Sequence, residues 1–261
     1  TYKVEAQDLA NSGWDPASAT NFITLSFWFR CSTNQAFRLN LRSEDGTARM
    51  FSTDFTASAN NTWTKIVKTI PGNTSPTVEV DNDNGSGLAI FWAAFYGTDY
   101  TDSGSTMDAW KTYSGSSQGT DMASTWLAAG ASTFDLTGVQ LEVGSQATAF
   151  EHRSFGEELK LCQRYFYAYR PSSNMWRDGY TDGSIYIKGS VPFPVTMRSS
   201  PSPTAVGTFQ HYNNETNNVA AETPSCNTHE ATSMVRGSSS GRTYSFWNAV
   251  DPYGFNFSAE L

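Results

Sequence analysis

Two stretches near the start of this chain alternate apolar and polar residues with strict period two. In Ile23-Thr-Leu-Ser-Phe-Trp-Phe-Arg30, residues Ile23, Leu25, Phe27 and Phe29 fall on one face, and Thr24, Ser26, Trp28 and Arg30 on the other. Ala36-Phe-Arg-Leu-Asn-Leu-Arg42 repeats the pattern, with Phe37, Leu39 and Leu41 opposed to Arg38, Asn40 and Arg42. A helix cannot hold that pattern on one side; a strand with one buried face requires it. The first constraint is therefore a β-structure whose layers bury one face each.

Further strands are predicted at 63–70, 88–96 and 133–143, with turn chemistry between them at Asp45-Gly46, Pro71-Gly72-Asn73 and Asn82-Asp-Asn-Gly85. Within 133–143, Phe134 and Leu136 share one phase, and Val139, Leu141 and Val143 the other. A β-bulge at Gly138 would put both sets on the same side of the sheet. One segment breaks the β pattern. Ser154 stands three residues before Glu157, the spacing of a capping box, and Leu159, Cys162 and Phe166 fall on one helical face. A short helix is predicted up to Arg164, giving way to a strand at Tyr165–Tyr169.

Beyond it, strands are predicted at Ser184–Gly189, Phe193–Met197, Thr204–Phe209, Ala231–Val235, Thr243–Val250 and Gly254–Glu260. Pro192, Pro194, Pro201 and Pro203 confine their strands to edges or ends, because proline donates nothing to a ladder. The fold class read from this pattern is all-β: two β-sandwich (jelly-roll-like) domains, 1–152 and 165–261, joined by a short α-helix at 153–164.

Composition narrows the partners. The 261 residues carry 17 Lys and Arg against 25 Asp and Glu, a formal charge of −8. That balance argues against a nucleic-acid partner, which needs clustered cations. Apolar runs such as Gly87–Tyr96 are far shorter than the ~20 residues of a membrane helix, so membrane insertion is not expected. Ser and Thr supply 62 residues, suited to an exposed, hydrogen-bonding surface. Cys31, Cys162 and Cys226 are widely spaced, which fits neither a disulfide framework nor a zinc site. They suit folding in a reducing cytoplasm. The opening Thr1-Tyr-Lys-Val lacks an initiator Met and a signal-like stretch, so the chain is expected to be the C-terminal part of a longer polypeptide.

The stretch Phe134-Asp-Leu-Thr-Gly-Val-Gln-Leu-Glu-Val-Gly-Ser-Gln-Ala-Thr-Ala-Phe-Glu-His-Arg153, followed by Glu157-Glu-Leu-Lys-Leu-Cys-Gln-Arg-Tyr-Phe166, resembles the C-terminal regions of bacteriophage tail-fibre and related virion structural proteins. Thr24-Leu-Ser-Phe-Trp28, Thr62-Trp63, Ile70-Pro-Gly72, Phe193-Pro-Val-Thr-Met-Arg198 and the ending Phe255–Leu261 agree with it in one order. The resemblance implies a virion appendage. Its first module would be similar to carbohydrate-binding modules. The whole would form a homotrimer that attaches to host cell-surface glycans and joins other virion proteins through an upstream segment. Where the family often reads Ala-Thr-Pro-Phe-Glu, this chain has Ala147-Thr-Ala-Phe-Glu151, which should loosen that joint slightly. It assigns no catalytic residue.

The candidate contact residues follow from the alternation. Trp28 and Arg30 would share an open face with Arg38, Asn40 and Arg42 if both strands lie in one sheet. Trp offers a plate for the C–H side of a sugar ring, and Arg and Asn offer forked donors and acceptors for its hydroxyls. The same residue types also suit contact with a neighbouring subunit. A distal cluster, Trp176 and Tyr180, is a second candidate, with Trp247 read as core. Asp81 and Asp83 in Asp81-Asn-Asp-Asn-Gly85 raise calcium, although such runs are ordinary turns and lack the Glu of an EF-hand loop. No other cofactor is expected. His152, His211 and His229 sit in no hydrolase motif, so a non-enzyme is expected. The alternatives are a glycan depolymerase or esterase with carboxylates placed by the fold, and a purely structural decoration of capsid or tail.

Overall fold

The protein is described from a computed structural model, which covers residues 1–170, 180–181, 186–206, 209–212, 216–217, 224–236, 245–248 and 254–260. Chain contacts divide it into two units, Thr1–His152 and Arg153–Leu261. Both are built of antiparallel strands, and the all-β class read from the sequence holds.

Unit 1 opens with β1 (Tyr2–Glu5) and the single-turn α1 (Ala6–Ala10), then β2 (Phe22–Cys31), β3 (Phe37–Ser43), β4 (Arg49–Phe55), β5 (Thr64–Pro71), β6 (Ser86–Ala93) and β7 (Trp110–Thr112). A short α2 (Thr125–Ala128) precedes β8 (Phe134–Val143). They form two sheets, ordered β1-β6-β3-β4-β7 and β5-β2-β8. The apolar phases of both sheets meet in one core. Phe27 and Phe29 of β2 stand edge-on to Phe55 of β4 at 5.2 and 5.0 Å between ring centroids, and Phe29 meets Phe37 of β3 at 5.1 Å. Edge-to-face packing of this kind suits the ring quadrupoles and fixes the inner faces against each other. Trp110 of β7 donates from Nε1 to the Pro71 carbonyl at 2.7 Å, tying one sheet edge to the other sheet.

The bulge falls where the two apolar phases of β8 required it. Gly138 has φ +59°, and the β2–β8 register shifts between Ser26 and Trp28. Phe134, Leu136 and Leu141 consequently all pack against the core.

Unit 2 begins with α3 (Phe155–Gln163), then β9 (Phe166–Tyr169), β10 (Tyr180–Thr181), β11 (Tyr186–Pro192), β12 (Ser202–Val206), β13 (Phe209–Tyr212), β14 (Thr216–Asn217), β15 (Ser225–Cys226), β16 (Glu230–Arg236), β17 (Ser245–Asn248) and β18 (Gly254–Ser258). The predicted capping box is present: Glu157 N–H donates to the Ser154 hydroxyl, and the Glu157 carboxylate accepts from Ser154 N–H. The strands form sheets ordered β10-β11-β16-β15, β12-β18-β9 and β14-β13-β17. A second core gathers Val191, Phe193, Met197, Ala231, Phe255 and Phe257. Pro203 lies in the edge strand β12 and Pro192 ends β11, as proline chemistry demands. Phe193–Met197, predicted as a strand, is instead an irregular segment that holds the 228–229 turn through Phe193 N–H and Met197 N–H. Pro194 in its middle has no N–H for a ladder.

Candidate functional site

The two early strands carry their outward residues on different sheets. Trp28 and Arg30 face out from β5-β2-β8, whereas Arg38, Asn40 and Arg42 face out from β1-β6-β3-β4-β7. The single five-residue face expected from the alternation is therefore corrected to two outer faces, with the shared core between them. Sequence period fixes which side of a strand faces the core between the sheets; it does not fix which sheet the strand joins, or what covers the other side.

On the three-stranded sheet, Arg30 pairs with Asp135 at 2.9 Å and lies 4.9 Å over the Trp63 ring. Trp28 is exposed beside the bulge, where a Cβ on Gly138 would sit 3.1 Å from Trp28 Cδ1. The chain leaving β8 folds back over this face. Thr148 N–H and Oγ1–H donate to the Glu142 carboxylate, Gln140 accepts from Glu151 N–H, and Lys65 reaches the Thr148 carbonyl. Burial pushes the Glu142 carboxyl up, but the Thr148 and Gln140 hydrogen bonds outweigh it and hold the group below the usual range. His152 stacks edge-on against Phe150 at 5.0 Å.

On the five-stranded sheet, Arg38 departs from its expected role. It is buried to 1% exposure beneath the segment after β7. Its guanidinium donates to Asp54 at 2.5 Å and to the carbonyls of Gln118 and Thr120. Arg38 clamps that segment to the sheet and presents nothing to a ligand. The loop is so close that a Cβ on Gly119 would fall 1.4 Å from Arg38 Nη1.

Asn40 and Arg42 sit further along the same face. Arg42 is half-buried and held by Glu44 at 2.6 Å. Its guanidinium lies 5.2 Å from the Phe91 ring and 4.9 Å from the Tyr113 ring. Asn40 is fully buried, which closes its amide to a ligand from outside. Tyr96 stands close by. Burial pushes its phenol up, and the Asn40 amide and the Arg38 charge pull against that. Lys111 of β7 donates to the Ser105 hydroxyl. Burial, then the Arg38 charge, lower its ammonium below the usual range, partly offset by Asp102.

With Phe91 and Tyr113 as flat apolar plates and Arg42 as a fixed fork, the site can offer stacking and hydrogen bonding together. Phe91, Tyr96, Lys111 and Tyr113 were not singled out by the alternation argument. Phe91 was legible as the outward phase of the 88–96 strand; Tyr96, Lys111 and Tyr113 come from a stretch with no clear periodicity.

The remaining candidates separate. Trp176 lies outside the described residues, as do the side chains of Tyr180 and Trp247, whose backbones belong to β10 and β17. Asp83 Oδ1 accepts from Gly85 N–H at 2.8 Å, and Asp81 N–H donates to Asp45 Oδ2 at 2.9 Å. Those are turn contacts. Among the described residues no three His, Cys, Asp or Glu side chains are grouped to hold a metal ion, and no helix is long and apolar enough to cross a membrane.

Comparison with known proteins gave no matching family model, no matching curated protein and no matching solved structure.

Proposed function

We propose that the protein is a non-catalytic attachment module of a virion appendage, of tail-fibre type, which holds a host cell-surface glycan on the outer face of the five-stranded sheet of unit 1. The observation that carries this reading is Arg42, half-buried and lying 5.2 Å from the Phe91 ring and 4.9 Å from the Tyr113 ring. Sugar hydroxyls can accept from a guanidinium, and sugar C–H faces suit the rings. The resemblance of residues 134–166 to virion fibre proteins supports the biological setting. Homotrimeric assembly would multiply several weak sites into useful avidity. The exposed Trp28, Trp63 and Val67 on the other sheet favour subunit contact there.

A glycan array on the purified chain, with release of reducing ends measured in parallel, tests the reading. Binding without cleavage is the expected result. Phe91→Ala and Tyr113→Ala should each weaken binding about ten-fold, in line with the loss of one stacked ring. Cleavage would instead make the protein a depolymerase, and neither binding nor cleavage would leave a purely structural role.

A further inference from the structure

The register of the five-stranded sheet sets one cross-strand row that no single strand reveals. Lys3 of β1 pairs with Ala89 of β6, Ala89 with Arg42 of β3, Arg42 with Met50 of β4, and Met50 with Lys111 of β7. Directly paired residues project from the same face, so Lys3, Arg42 and Lys111 stand in line across the full width of the sheet. Between them lie only Ala89 and Met50, both buried. With strands about 4.8 Å apart, successive cations are about 10 Å apart and the row is about 19 Å long.

The charge on this row is only partly answered. Glu44 holds Arg42. Asp54 answers Arg38, which stands four register pairs away along the strand, and Asp102 acts on Lys111 from beyond ion-pair distance. Among the described residues, neither Lys3 nor Lys111 has a carboxylate within 4.0 Å. Lys3 and Lys111 thus stand as cations without an ion pair at the two ends of the row, in a chain whose formal charge is −8. The spacing of the row is comparable to the advance of one disaccharide along an extended polysaccharide.

We infer that the glycan is an acidic polysaccharide with one carboxylate per disaccharide, laid across the strands so that successive carboxylates meet Lys3, Arg42 and Lys111. The intervening sugars then face Phe91 and Tyr113. This inference rests on the glycan-binding reading above and adds the charge, spacing and direction of the ligand.

The test uses the full chain on a sensor surface against four polymers: hyaluronan, hyaluronan with its carboxylates reduced to alcohols, alginate with a carboxylate on every residue, and neutral dextran. Native hyaluronan should bind at least about ten-fold more tightly than its reduced form and than dextran, with affinity falling as salt rises. Lys3→Ala and Lys111→Ala should each cost up to about five-fold, while Lys3→Arg and Lys111→Arg retain binding, which separates lost charge from misfolding. Equal affinity for native and reduced hyaluronan, or unchanged binding by the Lys3→Ala/Lys111→Ala double variant, overturns the inference. Binding to dextran or a neutral array glycan that Phe91→Ala abolishes, without binding to either acidic polymer, overturns the inference alone. No binding to any glycan overturns the glycan reading as well.

Discussion

Arg38 and Arg42 are four positions apart on one strand, point the same way and read identically in the sequence, yet they do opposite work. Residues 118–120 seal Arg38 against Asp54, so its guanidinium is spent on the fold, whereas Arg42 keeps a half-exposed place between Phe91 and Tyr113. The seal depends on Gly119, whose φ of +144° is closed to most side chains and whose missing Cβ is the space Arg38 fills. Gly119→Ala should therefore cost about 3 kcal/mol through backbone strain and overpacking together. Urea unfolding of the full chain, read at the unit 1 transition, measures it; a loss below ~1 kcal/mol would mean that the loop does not rest on Arg38.

At the scale of elements, β8 and the segment that follows it form a single device. The bulge at Gly138 brings Phe134, Leu136 and Leu141 to the core, and leaves Gln140 and Glu142 outward to receive Thr148, Ala149 and Glu151. The bulge was legible because two apolar phases cannot otherwise share one face. The docking of residues 145–151 was not, because its partners are polar side chains whose targets are backbone groups. The device should respond to acid. Glu142 titrates below the ordinary Glu value of about 4.3, so its bonds to Thr148 stabilise the folded chain above that pH and are lost as pH falls through the lower, folded-state value. The Thr148 amide resonance, followed by NMR from neutral pH downward, should shift with a midpoint below ~4.3. Glu142→Gln should remove that titration. A midpoint at or above the ordinary value would contradict the hydrogen-bonding described.

For the whole molecule, the division at His152 and Arg153 and the two separate cores lead to a direct expectation about folding. Residues 1–152 expressed alone should unfold in one cooperative transition and keep the glycan affinity proposed for the full chain, since Lys3, Arg42, Phe91, Lys111 and Tyr113 all lie within them. Calorimetry and the same sensor measurement check it; a molten fragment, or one that folds but no longer binds, would show that unit 2 completes the site. The sequence by itself determined the β class, the strands with strong alternation, the bulge, the capping box and which side of β2 and β3 faces the core, because these follow from local periodicity and local hydrogen bonding. Only the tertiary structure decided which sheet each strand joined, that Arg38 is sealed while Arg42 is open, and that Lys3, Arg42 and Lys111 share a row. Strand pairing brings together residues as far apart as 3 and 111 through register, and no periodicity within a single strand encodes that.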